Sequence, residues 1–115
     1  GIAGIEYMLS ASEGIPLHVY IILPSCVPAT PFDESGAVLS ADSLSPLYER
    51  ERVIGLAEMM NYPGVIYKDP EVIKKLDHAR SLKRHIDGHA PLLSGKELDA
   101  YVCSVSLDED EMAVL

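Results

Sequence analysis

Three short apolar runs, LHVYIIL at residues 17 to 23, RVIGL at 52 to 56 and RHID at 84 to 87, begin about 32 to 35 residues apart, with a helical pattern between each pair. Antiparallel strands can be joined by a tight turn, whereas parallel strands need a crossover of a dozen residues or more, usually a helix. The spacing therefore predicts an α/β fold of alternating β-α units with parallel strands. The first run is β-branched and aromatic and is closed by Pro24, which suits a strand buried on both faces. The second is expected to end near Glu58, and the third, a weaker signal, is followed by Gly88 and a loop to Ser94.

Between these runs, Ile2, Ile5, Tyr7, Met8 and Leu9 recur at near-helical spacing until Gly14 and Pro16 end the pattern. Ser40 caps a short helix reaching about Arg50, and Asn61, Pro63 and Gly64 mark a turn. Asp69 as N-cap with Pro70 after it starts a helix that carries Val72, Ile73 and Leu76 inward. Ser94-Gly95-Lys96-Glu97 reads as a capping box ahead of Leu98, Tyr101 and Val102. The stretch SCVPATPFDESGA after the first strand exceeds the length of a routine connector, and such loops are often functional. Residues 107 to 115 combine DEDE with MAVL, a fourth short strand or an acidic tail. The tail is the preferred reading, giving one domain over 1–115 with α/β units in 1–104 and the tail in 105–115.

Asp and Glu number 18 against 9 Lys and Arg, a formal charge of −9. Phosphate contacts depend on clustered cations, so nucleic acid and anionic membrane surfaces are excluded as partners. No apolar run approaches the roughly 20 residues of a membrane span, and no basic-then-apolar leader opens the chain, so a cytoplasmic location is expected. Cys26 and Cys103 are far apart and lack CxxC spacing, which predicts two reduced thiols and neither a disulfide framework nor a zinc knuckle.

In parallel α/β folds the polar residues at the C-terminal ends of strands face the active site. That rule selects Ser25 and Cys26, Glu58, and Asp87 with His89. A carboxylate and an imidazole from neighbouring strands suit a divalent metal, one offering hard oxygen and the other neutral nitrogen. Taken alone, the same pair reads more readily as a carboxylate that caps or pairs in its loop and a histidine that accepts a backbone hydrogen bond.

The segments PSCVPATPFDESGA (24–37), GLAEMMNYPGV (55–65) and DGHAPLLSGKELDAY (87–101) together resemble the adenine deaminase family of the amidohydrolase superfamily. The resemblance runs through about Tyr101. It implies a place in a (β/α)8, TIM-type barrel built around divalent metal, a binuclear manganese or iron site in the complete fold. It also implies a role in purine metabolism, the hydrolytic deamination of adenine to hypoxanthine and ammonia. By motif, Glu58 in GLAEMMN resembles the carboxylate ligand and His89 in DGHA the imidazole ligand from the next strand. Asp87 would orient the loop or support the ligands, and Ser25 and Asn61 would line the pocket. His85 lies four residues from His89, a zinc-ligand spacing on a helix, but Gly88 argues for a strand end here. His18 and His78 read as structural or surface histidines, and Met59 and Met60 as packing residues.

Three departures from the family pattern bear on activity. A full barrel needs about 250 residues, so the family's HxH pair is expected upstream of Gly1 and its catalytic aspartate beyond Leu115. After Ala100-Tyr101 the family continues to SDHE, whose histidine is a further ligand; here the chain reads CSVSLDEDE, with Asp110 in that place. Leu92 stands where the family has glycine, and Asp33 where it has Glu. The expectation is a chain that binds metal weakly and does not deaminate adenine unless further strands, a complementing chain or self-association complete it. The alternatives are a non-catalytic binding or assembly module derived from such an enzyme, and a freestanding α/β protein with an unrelated ligand.

Overall fold

A computed structural model of the protein describes residues 1–30 and 32–106. The chain runs α1 (Ile2–Ala11), β1 (Ile21–Leu23), α2 (Ala41–Leu44), a 3-10 helix (Ser45–Glu49), β2 (Val53–Met59), α3 (Tyr62–Ile66), α4 (Pro70–Ser81), β3 (His85–Gly88) and α5 (Gly95–Val105). The strands form one parallel sheet in the order β1-β2-β3. The α/β class and the parallel pairing predicted from the spacing are present.

Local signals explain most of these elements. Asp69 accepts hydrogen bonds from the Glu71 and Val72 amides at 3.0 and 3.1 Å, and Pro70 needs no amide partner, so α4 starts where the sequence places it. Val72, Leu76 and Ala79 then fall on one buried face. The Ser40 hydroxyl accepts from the Ser43 amide at 3.2 Å and starts α2, which tightens into the 3-10 turn instead of continuing as one helix to Arg50.

The core lies on one side of the sheet. Leu23, Val53, Leu56, Met59 and Ile86 are buried against Leu44, Leu47, Tyr48, Val72, Leu76 and Ala79 of the helical layer. On the sheet's other side Ile22 and Ile54 remain 37% and 41% exposed. This corrects the expectation of a first strand covered on both faces.

That strand is also shorter than the apolar run 17–23. Only Ile21 to Leu23 pairs with β2, while Leu17, His18 and Tyr20 are exposed. The Val19 carbonyl goes to the Arg52 side chain instead of a ladder. Asn61, Pro63 and Gly64 form not a simple turn but the start of α3, because the Asn61 side-chain oxygen accepts from the Gly64 amide at 3.0 Å and acts as N-cap. The capping box at Ser94 does not form: Ser94 precedes α5 without a side-chain cap bond. Gly95, at φ +58°, sits in the left-handed region where a capping box has its first helical residue, so the regular first turn that the box needs is absent. α5 runs through Val105, into the segment read as tail; residues 107–115, and with them Asp110, lie outside the described residues.

The Arg52 guanidinium joins α1 to the sheet. It donates to the Leu9 carbonyl, to the Ser12 hydroxyl at 2.6 Å and, at longer range, to the Ser12 and Val19 carbonyls. It thereby satisfies carbonyls that a helix C-terminus leaves without intrahelical partners, as a cation there does best.

A candidate metal centre at the strand ends

The C-terminal end of β2 departs from simple alternation. Its register shifts between Leu56 and Met59, so that both are fully buried although three residues apart, and Glu58 between them is exposed. Two neighbours fix the backbone here. The Ser25 hydroxyl, buried after β1, donates to the Glu58 carbonyl, and the Tyr101 hydroxyl of α5 donates to the Met59 carbonyl at 2.8 Å.

At the end of β3 the His89 amide donates to the same Tyr101 hydroxyl at 2.7 Å. Tyr101 is 4% exposed, and burial pushes its pKa up, which keeps the phenol protonated and able to donate to Met59. Gly88 permits this approach: a Cβ on it would lie 3.0 Å from the tyrosine oxygen. The outcome is that Glu58 Oε2 and His89 Nδ1 lie 3.9 Å apart, on adjacent parallel strands, with side chains 58% and 55% exposed. Carboxylate oxygen and imidazole nitrogen each bind a divalent ion at about 2.0–2.2 Å, so two donors of one ion lie at most about 4.4 Å apart. The pair fits a shared metal.

The other candidates are placed differently. Asp87 faces not His89 but His85, with Oδ1 2.6 Å from Nε2, so it engages the histidine that the strand end at Gly88 sets aside as a ligand. Ser25 and Asn61 both line a groove of about 350 Å³ beside the strand ends, with Cys26, Val27, Glu71 and Lys75. The Ser25 hydroxyl is already engaged with the Glu58 carbonyl and the Asn61 oxygen with the Gly64 amide, so these two atoms hold local backbone rather than stand free in the groove. Lys75 donates to the Ser25 carbonyl at 2.8 Å, and burial pulls its pKa down. Cys26 and Cys103 are both free; Cys26 packs 3.9 Å from the Met59 sulfur. His78 pairs with Ser45 at 3.0 Å on the helical layer. A larger concavity, about 840 Å³, lies on the helical layer around Val65, Ile73, Asp77 and Arg80 and does not include Glu58 or His89. Among the described residues no third His, Cys, Asp or Glu joins Glu58 and His89. No helix among them is long and apolar enough to cross a membrane.

Tyr101, which the sequence marks only as a helix position facing inward, holds backbone groups at both strand ends. Its spacing marks it as apolar core, and nothing local announces that its hydroxyl reaches from a helix to the ends of two strands.

No protein-family model matches the chain. Among curated proteins it is 57% identical over 104 residues to an adenine deaminase of Oleidesulfovibrio alaskensis, covering 89% of this chain and 18% of that protein. It is 50% identical over 111 residues to an adenine deaminase of Parabacteroides distasonis and 46% identical over 111 residues to one of Desulfatibacillum aliphaticivorans. Each of those matches covers 96% of this chain and 20% of the relative. The chain belongs to the adenine deaminase family. It spans about a fifth of the length of the curated relatives it matches.

Within this segment, the glycine that the family pattern carries at position 92 has a structural rationale. Leu92 has φ +66° and a fully exposed side chain, a conformation that costs a residue with a Cβ about 1 kcal/mol and glycine nothing. Leu92→Gly gives up no packing, so it should raise stability by up to about 1 kcal/mol despite the added freedom of the unfolded chain. Urea unfolding of the two proteins checks this; a lower midpoint for the glycine variant would refute it.

Proposed function

We propose that this segment contributes Glu58 and His89 as two ligands of the divalent metal site of an adenine deaminase, in which adenine is hydrolysed to hypoxanthine and ammonia. The observation that carries the reading is the 3.9 Å carboxylate–imidazole pair at the C-terminal ends of adjacent parallel strands. The family match supports the reaction. A sheet packed against helices on one side, with Ile22 and Ile54 partly exposed on the other, is the form expected of one wall of a (β/α)8 barrel, whose strands carry helices outside and residue layers inside.

When bound, the metal, manganese or iron in this reading, acidifies water enough for hydrolysis at neutral pH. Glu58 offers the hard anionic donor and His89 the neutral nitrogen, while Ser25 and Tyr101 hold the backbone beneath them. Over the reaction, the water oxygen bonds to C6 of the purine, the bond from C6 to the amino nitrogen breaks, and nitrogen leaves as ammonia. Two ligands hold a metal weakly, so we expect no measurable deamination from these 115 residues until further strands or a complementing chain complete the site. We place the protein in the cytoplasm, where its two free thiols stay reduced.

Titration of the chain with Mn²⁺ tests the ligand assignment. Glu58→Gln and His89→Ala should each weaken binding by about tenfold or more, the loss of one of two donors. Equal affinity in wild type and both variants would remove the assignment.

A further inference from the structure

We propose that Tyr101 is a positioning residue of the candidate metal centre: its hydroxyl couples the ends of β2 and β3 and so sets the separation of the Glu58 carboxylate from the His89 imidazole. The proposal rests on the ligand reading above. Glu58 and His89 come from different strands, and the last ladder partners between those strands are Met59 and Gly88. Beyond that point one oxygen holds both chain ends. Tyr101 gives its proton to the carbonyl of Met59, the residue after Glu58, and accepts from the amide of His89 itself. Both contacts are therefore within one residue of a ligand.

A tyrosine serving only as core would need its ring alone. This one is buried, yet its hydroxyl is fully used, one proton and one lone pair in bonds of 2.7 and 2.8 Å. Gly88 leaves room for that oxygen, as no larger residue would without displacing it. Phenylalanine would keep the ring and lose only the coupling. Partners that orient metal ligands commonly change affinity by about tenfold when removed, although they never touch the ion.

The deciding experiment measures Mn²⁺ affinity of the 115-residue chain by the electron-resonance signal of free Mn²⁺, and the visible absorption of its Co²⁺ complex, in wild type and in Tyr101→Phe. The expected result is about tenfold weaker Mn²⁺ binding and a changed Co²⁺ band pattern, with the far-ultraviolet circular dichroism of the fold retained. Unchanged affinity and an unchanged Co²⁺ spectrum would overturn the proposal, whatever happens to stability. If Tyr101→Phe does not fold, Gly88→Ala decides: it retains the tyrosine but crowds its oxygen, so weakened binding supports the coupling and unaltered binding overturns it. Glu58→Gln and His89→Ala in the same assay separate the two levels. If they lose affinity and Tyr101→Phe does not, only the coupling fails; if none of the three differs from wild type, the ligand reading fails and the proposal with it.

Discussion

Gly55→Ala is expected to lower folding stability by about 3 kcal/mol or more, the range reserved for backbone clashes and overpacking in a core. Gly55 is buried in the central strand and pairs with Ile22 on one side and His85 on the other. A Cβ there would sit 2.4 Å from the His85 carbonyl oxygen and 3.1 Å from two further His85 atoms. Those atoms belong to, or are rooted in, the backbone of a paired strand, so no rotamer change relieves the contact. β2 and β3 would have to separate, at the start of the same pairing that ends at Met59 and Gly88, beside Glu58 and His89. For a chain of this size the loss corresponds to a drop of about 10 °C or more in melting temperature. A drop of only a degree or two would show that the strands can part here without cost. Metal affinity should fall together with stability, unlike the selective loss expected for Tyr101→Phe.

Arg52→Met should cost about 2 kcal/mol, and the loss should be local. Methionine keeps most of the apolar stem but removes the cation that donates to the Leu9 and Ser12 carbonyls and the Ser12 hydroxyl. Hydrogen bonds to a charged group contribute about 1.5–3 kcal/mol, and this side chain is partly open to water, which lowers the figure. α1 otherwise buries only Leu9 completely, with Ile2 and Ile5 partly buried, so little else holds it to the sheet. Amide hydrogen exchange should accelerate across Ile5–Ala11 while α4, anchored by Val72, Leu76 and Ala79, keeps its protection. Equal acceleration in both helices would show instead that α1 is part of the global folding unit.

The sequence by itself determined the elements whose causes are local. Hydrophobic runs at regular spacing produced three parallel strands, and Asp69-Pro70 started α4 because a side-chain acceptor and a missing amide both act within one turn. Glu58 and His89 were legible as candidates for a related reason, since residues at the C-terminal ends of strands share one edge of a parallel sheet. Signals that depend on a neighbour were misread. Four residues of the first run have no strand to pair with, Gly95 breaks a capping box that looks complete in one dimension, and Asp87 meets His85 because the two share a strand. Packing alone turns Glu58 outward between the buried Leu56 and Met59, through a register shift, and brings a tyrosine twelve residues beyond His89 to supply the oxygen between the two strands. The physical reason is the range of the interactions: propensity and capping act over a few residues along the chain, whereas a hydrogen bond from α5 to β2 exists only once packing has brought them together.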